Sequence, residues 1–298
     1  MRIRLATPDD APAVVALRAT VVPYLVRGVE STRKMIAEPP PGEAWTAFVA
    51  EVDHQVVGWV SAERITSTSM ANVGGINLLH VHPEHRRRGL GTALLTAATD
   101  HLRPLGIRRV RAMALSEALP FARRHGYEPS REVRYSALDL SSAPALPEPP
   151  PGVRLRPIAD LDPHLLYVAN VASAADEPGD VPVDAISYES WQYDVWDNLG
   201  LDKASSIAAE VDGAVVAFSL VKRDGDRMWS DYTGSVPAYR GRGLARLTKV
   251  AALHRAAANG VRVAYTSNDE ANAPMLAINA RLGYRPVASQ WACLTDLT

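Results

Sequence analysis

The sequence predicts two consecutive domains of one α/β class, and three observations lead there. The chain has 298 residues, about twice the usual length of a single domain. Residues 141–152, SSAPALPEPPPG, are dense in proline. That favours an extended polyproline segment and continues neither a helix nor a central strand. The stretches on either side repeat one another in order. Glu51-Val-Asp-His-Gln-Val-Val-Gly-Trp matches Glu210-Val-Asp-Gly-Ala-Val-Val-Ala-Phe, Arg86-Arg-Arg-Gly-Leu-Gly matches Arg240-Gly-Arg-Gly-Leu-Ala, and His125-Gly-Tyr-Glu-Pro matches Leu282-Gly-Tyr-Arg-Pro. The expected organisation is a first domain over 1–140, a linker over 141–152 and a second domain over 153–298.

Each half has the same predicted element order. A short strand opens it, at Ile3 or Val153. Helical segments follow, over 8–20 and 28–36, and over 160–173 and 183–197. A hairpin comes next, 45–52 with 56–64 and 205–211 with 214–222, turning at Asp53 or at Asp212-Gly213. A third strand covers Ile76–His82 or Met228–Val236 and leads into an alanine-rich helix, 89–103 or 243–259. Gly106 and Gly260 suit helix C-termini before strands over 108–114 and 261–267. A last helix stops before Gly126 or Gly283, and a final strand pair closes each half.

Composition narrows the classes. Hydrophobic residues are 47% and charged residues 22%, enough to build a core. The net charge is −1, and no aromatic-rich basic stripe accompanies His85-Arg-Arg-Arg, so no nucleic-acid partner is expected. Basic and acidic residues number 18 and 15 over 1–150 and 14 and 18 over the remainder, which puts any acidic surface mainly in the second half. With one cysteine, Cys293, no disulfide can close within the chain and no multi-cysteine metal site exists. No apolar run reaches the ~20 residues that span a bilayer, and MRIRLATPDDAP has no signal-peptide core. A cytoplasmic protein is expected, with no membrane partner and no metal.

The chemistry lies where a strand runs into a polar turn and a helix opens with arginines and glycines. Leu79-His-Val-His-Pro-Glu-His-Arg-Arg-Arg-Gly-Leu-Gly-Thr does this in the first half, and Thr233-Gly-Ser-Val-Pro-Ala-Tyr-Arg-Gly-Arg-Gly-Leu-Ala-Arg in the second. A helix start exposes unpaired N–H groups and partial positive charge, glycine admits an anion close to the backbone, and arginines add donors. A P-loop needs Lys-Ser/Thr after its last glycine, and a dinucleotide fingerprint needs a third glycine where Leu94 and Arg246 stand.

Arg86-x-x-Gly89-x-Gly91 and Arg240-x-x-Gly243-x-Ala245 resemble the acyl-CoA pyrophosphate loop of the GNAT acetyltransferase superfamily. Asn272-Ala-Pro-Met-Leu-Ala-Ile-Asn-Ala-Arg-Leu-Gly-Tyr resembles its second cofactor motif, as does Ala118–Tyr127 more loosely. The pairing in one chain resembles tandem, mycothiol synthase-like members. The resemblance implies two domains, each with a mixed, mostly antiparallel sheet flanked by helices, and an acetyl-CoA-dependent N-acetyltransferase. It implies that the pyrophosphate lies on N–H groups from Arg87 through Arg88, Gly89, Leu90 and Gly91 to Thr92, or from Gly241 through Arg242, Gly243, Leu244 and Ala245 to Arg246. A backbone N–H near Val81, or near Ser235 and Val236, meets the thioester oxygen, and Asn272 holds the cofactor from the side. The acceptor amine attacks directly.

The two halves differ in the residues around that loop. Four positions before the oxyanion donor the second half has Asp231, a candidate base, and the first has Asn77, which cannot be one. The superfamily's usual tyrosine acid is replaced by Ala122 and Asn279. Tyr232 is then a candidate proton source, and Asn279 a candidate hydrogen-bond partner of the sulfur. The second half is expected to be catalytic and the first structural or cofactor-binding only. The segment 175–202 holds Asp176, Glu177, Trp191 and Trp196 among other acidic and aromatic residues, a candidate wall for a small cationic amine. An acyl-CoA-binding regulatory protein, or an O-acyl or longer-chain acyltransferase, remain the alternatives. A monomer or homodimer is expected.

Overall fold

The computed structural model describes residues 1–174 and 177–297. In the first repeat the strands are β1 (Arg2–Leu5), β2 (Thr46–Val52), β3 (Gln55–Arg64), β4 (Val73–Val81), β5 (Arg109–Leu115) and β6 (Glu128–Asp139). Its helices are α1 (Ala11–Val21), α2 (Val29–Ala37), α3 (Leu90–Leu102) and α4 (Leu119–Arg124). The second repeat has β7 (Arg154–Pro157), β8 (Ile207–Val211), β9 (Ala214–Asp224), β10 (Arg227–Ser235), β11 (Val263–Asp269) and β12 (Arg285–Asp296). Its helices are α5 (Pro163–Ala174), α6 (Tyr188–Trp191), α7 (Leu244–Ala258) and α8 (Ala273–Leu282).

The chain divides into two compact units. One is Met1–Val133 together with Ser289 onward; the other is Arg134–Ala288. This division differs from the one at the proline segment, because the final strands are exchanged between repeats. In the first unit the strand order is β1-β2-β3-β4-β5-β12, with Gln290–Asp296 antiparallel to Leu115–Arg109. In the second unit the order is β6-β11-β10-β9-β8-β7. Each closing strand is a single element of 12 residues rather than the expected pair of short ones. The exchange is anchored inside the first unit by Cys293, fully buried in its core, and by Arg109 Nε on Asp296 at 3.0 Å. Residues 141–152 belong to the second unit, where His254 Nε2 meets the Pro144 carbonyl at 2.7 Å.

Each unit has a mixed sheet, mostly antiparallel, with β4 parallel to β5 in the first and β10 parallel to β11 in the second. The hairpins turn at Asp53-His54 and Asp212-Gly213, all at positive φ, the backbone that two-residue hairpins need. Leu90, Leu94, Leu95, Ala98 and Leu102 form the buried stripe of α3, at the three- and four-residue spacing of one helix face. Each buried leucine there contributes about 2 kcal/mol. Val250, Leu253 and Ala256 of α7 pack on Leu138, Leu282 and Tyr284 in the same way. The expected helix over 183–197 is shorter: α6 makes one turn and Gln192–Trp196 continues as a wider π-type turn.

Candidate active site

In the second unit β10 and β11 pair only over Arg227–Trp229 and Val263–Tyr265, and then separate. A cleft of about 800 Å³ opens between them, lined by Ser230–Ser235 on one side, Thr266–Asn268 on the other and the loop Tyr239–Arg246 at its mouth. A β-bulge between Ser230 and Thr233 interrupts the pairing with β9 and re-aims the residues it contains. Those residues are Asp231 and Tyr232, and both line the cleft. Asp231 is ion-paired with Lys222 Nζ at 2.9 Å, and Tyr232 stacks on Phe218 with ring centroids 5.7 Å apart. Val236 donates its N–H to the Val216 carbonyl at 2.9 Å. By the alternation of an antiparallel ladder, the Ser235 N–H therefore points away from β9, into the cleft.

Gly241 and Gly243 have φ of +74° and +76°, and no atom lies within 4 Å of a Cβ built on either. The backbone conformation, not crowding, requires glycine, and the surface over both is open. The first bond within α7 runs from the Leu247 N–H to the Gly243 carbonyl at 3.0 Å, so Leu244, Ala245 and Arg246 keep N–H groups with no intrahelical acceptor. With the helix dipole they form an anion cradle. The arginines divide the work. Arg240 turns back, Nε to the Ser235 carbonyl at 3.3 Å and a terminal nitrogen to the Ser173 carbonyl at 3.5 Å. Arg242 lies 4.8 Å over the Tyr239 ring. Arg246 lines the cleft, and its buried Nε has no hydrogen-bond partner among the described residues. Arg240 and Arg242 thus brace the loop, and Arg240 also lines the cleft.

The comparisons with known proteins agree with this geometry. The acetyltransferase (GNAT) family pattern matches residues 17–127, and an acetyltransferase (GNAT) domain pattern matches 187–267. A mycothiol acetyltransferase of Nocardioides sp. is 32% identical over 263 residues, covering 82% of this chain and 87% of that protein. The chain belongs to the GNAT acetyltransferase family. A tandem GNAT protein from the clavulanic acid biosynthesis pathway superposes with a TM-score of 0.75 at 21% identity over 99% of this chain and 98% of that one. A GCN5-related N-acetyltransferase from Sphaerobacter thermophilus gives 0.73 at 21% identity over 99% and 95%. The chain is a tandem GNAT acyltransferase of mycothiol synthase type.

The first GNAT unit keeps the loop and closes the cleft. β4 leaves β5 after Ile76 and Ala112, and Arg87 and Gly89 have φ of +63° and +82°. Because His82 donates to the Val57 carbonyl at 2.8 Å, the Val81 N–H points away from β3. The space beyond is only about 100 Å³ and is lined by Ile76, Leu79, Leu95 and Phe121. The Phe121 ring stands 3.4 Å from a Cβ built on Gly91, in van der Waals range, and so lies over the start of α3. Leu90 is buried in the core, Thr92 Oγ1 meets His125 Nε2 at 3.3 Å, and Arg86 Nε holds the Val81 carbonyl at 3.2 Å. Arg87 and Arg88 are exposed.

The acceptor wall divides. Trp191 is 2% exposed, its indole N–H donates to Asn170 Oδ1 at 2.7 Å, and it stacks on Trp196. Trp196 carries Lys203 Nζ 4.1 Å above its ring. Both tryptophans pack in the hydrophobic cluster of Leu166 and Phe218 and not in the cleft, which corrects their assignment as substrate contacts. Glu177 does line the cleft; Asp176 lies outside the described residues. Asn272 caps α8, accepting the Met275 N–H at 3.3 Å, and also lines the cleft. Asn279 is buried and donates to Asn268. Sequence reasoning missed Lys249, which lies on the cleft floor. No group of three or more metal-ligating side chains occurs among the described residues, and no helix among them is long and apolar enough to cross a membrane.

Proposed function

We propose that the second unit transfers an acetyl group from acetyl-CoA to a primary amine of a small cationic acceptor. The observation that carries this reading is the open cleft between β10 and β11, ending at an uncrowded glycine loop and a helix start. Leu244, Ala245 and Arg246 offer N–H groups, and the Arg246 guanidinium a charge, for the pyrophosphate. Bound acetyl-CoA supplies the thioester. The Ser235 N–H stabilises charge on its oxygen as it becomes tetrahedral, an effect of ~3 kcal/mol. An alkyl amine of pKa about 10 costs about 4–5 kcal/mol to deprotonate at pH 7, so Asp231 accepts that proton. Asp231 and Glu177 together favour a cationic acceptor. The first unit, with its cleft filled, serves as the structural copy.

The test combines calorimetric titration with acetyl-CoA and thiol release on a panel of amines. Because the relatives carry mycothiol in their name, an acceptor tied to that compound heads the panel. One acetyl-CoA site per chain and amine-dependent turnover are expected, and Asp231→Asn lowers turnover roughly 10²–10⁴-fold with little change in acetyl-CoA affinity. No binding at millimolar acetyl-CoA overturns the reading. Binding without turnover on any amine replaces it with a binding protein, and turnover only on alcohols or only with longer acyl donors replaces the substrate class.

A further inference from the structure

We propose that Lys249 delivers the proton to the sulfur that leaves when the thioester is cleaved in the second cleft. This rests on the donor reading above. Lys249 sits on the second turn of α7, 1% exposed, and lines the cleft floor beside Ser230 and Thr266. Its Nζ lies 5.0 Å from the centre of the Tyr284 ring, and no carboxylate is within ion-pair distance of it among the described residues. A buried ammonium without a counter-charge is costly to a fold.

The other repeat shows that the fold does not require it. Lys249 follows Gly243 by six residues as Leu95 follows Gly89, and by the same alignment Ser230 and Thr266 stand opposite Ile76 and Ala112. The first unit therefore floors its cavity with Ile76, Leu95 and Ala112, and the second floors its cleft with Ser230, Lys249 and Thr266. Three polar replacements fall on one patch, in the copy whose cleft is open. The buried hydroxyls of Ser230 and Tyr284 have no partner beyond one another, so the patch is more polar than the apolar packing around it requires.

Two other candidate acids are worse placed. Asn279 has no proton to release and is committed to Asn268. Burial pushes the Tyr284 phenol up, away from any role as an acid near neutrality. Burial instead pushes the Lys249 ammonium down to about 7, where an acid gives up its proton readily at working pH. In the step, the neutral amine nitrogen bonds to the thioester carbon and the C–S bond breaks with its electron pair going to sulfur. Asp231 passes the first amine proton to solvent before this attack; the sulfur takes a proton from Lys249 Nζ, and the second amine proton, shed as the C–N bond forms, goes to Asp231. Solvent returns both groups to their starting states.

The charged and titratable groups that share the cleft with Lys249 are Asp231 and Tyr232 on β10, Tyr239 and Arg240 in the loop, Arg246 one turn back on α7, Arg281 on α8 and Glu177 after α5, with the Tyr284 ring beneath its Nζ. β8 and β9 present Ala209, Ala217 and Val221 to α7. Arg246 and Arg281 favour the neutral amine; Asp231 and Glu177 favour the ammonium.

The experiment titrates the thiol of CoA bound to the full chain, following thiolate absorbance in the ultraviolet, for wild type, Lys249→Leu, Lys249→Met and Tyr232→Phe. A free thiol ionises near pH 8.5. At pH 6, where Lys249 keeps its proton, the bound thiolate fraction is at least tenfold higher in wild type than in Lys249→Leu, with CoA affinity within about threefold. Turnover of Lys249→Leu falls about 10²-fold and loses the decline above pH about 7 that wild type shows. Leu is already accommodated at the matching position of the first unit, and Met covers the case in which Leu leaves a void. Failure of wild type to bind acetyl-CoA or CoA defeats the donor reading itself. Binding with the same thiol titration in wild type and both Lys249 variants overturns the role of Lys249 and leaves that reading intact. A shift in Tyr232→Phe alone gives the role to Tyr232, and loss of CoA binding in both Lys249 variants makes Lys249 a ground-state contact; either outcome overturns the proposal.

Discussion

The same strand–loop–helix arrangement occurs twice in this chain with opposite outcomes. Both units hold a glycine at positive φ before the helix, Gly89 and Gly243, and both release the third strand from its parallel neighbour after a few residues. In the first unit the freed space shrinks to about 100 Å³ among Ile76, Leu95 and Phe121. In the second it is about 800 Å³ and reaches Ser230, Asp231 and Lys249. The backbone builds the cradle; side chains a few ångströms away decide whether a ligand can reach it. A loop motif therefore reports ancestry more faithfully than it reports activity.

Valine at the two glycines is the harshest test of that contrast. A β-branched residue at φ +76° is strained, and its side chain occupies the open surface over the loop. Gly243→Val is expected to lower acetyl-CoA affinity at least 1000-fold, about 4 kcal/mol, measured by calorimetry. Gly89→Val carries the same backbone strain, costing about 1–2 kcal/mol of stability, and leaves the stoichiometry at one. Loss of a binding event in Gly89→Val would break the contrast, since the first loop would then hold cofactor despite its closed cleft.

Much of this was legible in the residues, and the failures have identifiable causes. α3 was expected over 89–103 and spans Leu90–Leu102, because a leucine stripe bounded by Gly89 and Gly106 leaves little freedom. The exchange of closing strands is not legible in the sequence: alternation in 285–296 marks a strand but says nothing about its neighbour, which the ladder to Leu115–Arg109 and the burial of Cys293 among first-unit side chains reveal. Trp191 read as an acceptor contact because an aromatic on a short helix fits a pocket wall as well as a core. Its hydrogen bond to Asn170 resolves the matter in favour of the core. Lys249 carries a signal of its own in the sequence, a lysine aligned with Leu95 of the other repeat. The base and the cofactor contacts rest on the cleft geometry together with the proposal above.

His80 sharpens the contrast through pH. It is buried against the first cavity, and burial, with smaller contributions from Arg18 and Arg86, pushes its pKa down to about 3. The matching residue in the second unit is Gly234, where a Cβ would stand 2.7 Å from Ser173 Oγ. An unfolded histidine titrates near 6.5. As pH falls below that value the unfolded chain takes up a proton that the folded chain refuses, so stability declines from about pH 6.5 towards 3. Denaturant unfolding at pH 4.5 should show a loss of about 2–3 kcal/mol relative to pH 7, and His80→Leu should lose much less. Asp10, held low by Arg4, acts only as pH falls below the ordinary carboxylate range, so it does not confound the comparison. An unchanged pH dependence in His80→Leu would remove His80 as the source.

Trp191→Phe separates core from cleft in the second unit. The change strands Asn170 Oδ1 without its indole donor, at a cost of about 1–2 kcal/mol, with acetyl-CoA affinity and turnover unchanged. A large fall in turnover at unaltered stability would return Trp191 to the acceptor wall.

The gentlest perturbation asks whether the first cleft is closed by one side chain. Phe121 is half-buried and stands 3.4 Å from the position of a Cβ on Gly91, at the start of α3 where N–H groups remain unpaired. In Phe121→Ala the ring leaves that position, at a stability cost of about 1–2 kcal/mol. Calorimetry should then show a second, weak acetyl-CoA event at millimolar concentration, because the N–H groups after Gly89 become reachable while Leu79 and Leu95 still crowd the space beyond. That event should disappear again in Phe121→Ala combined with Gly89→Val. If Phe121→Ala binds no more acetyl-CoA than wild type, the apolar floor of Ile76, Leu95 and Ala112 excludes the ligand by itself. The difference between the units would then lie in the floor that also distinguishes Lys249 from Leu95.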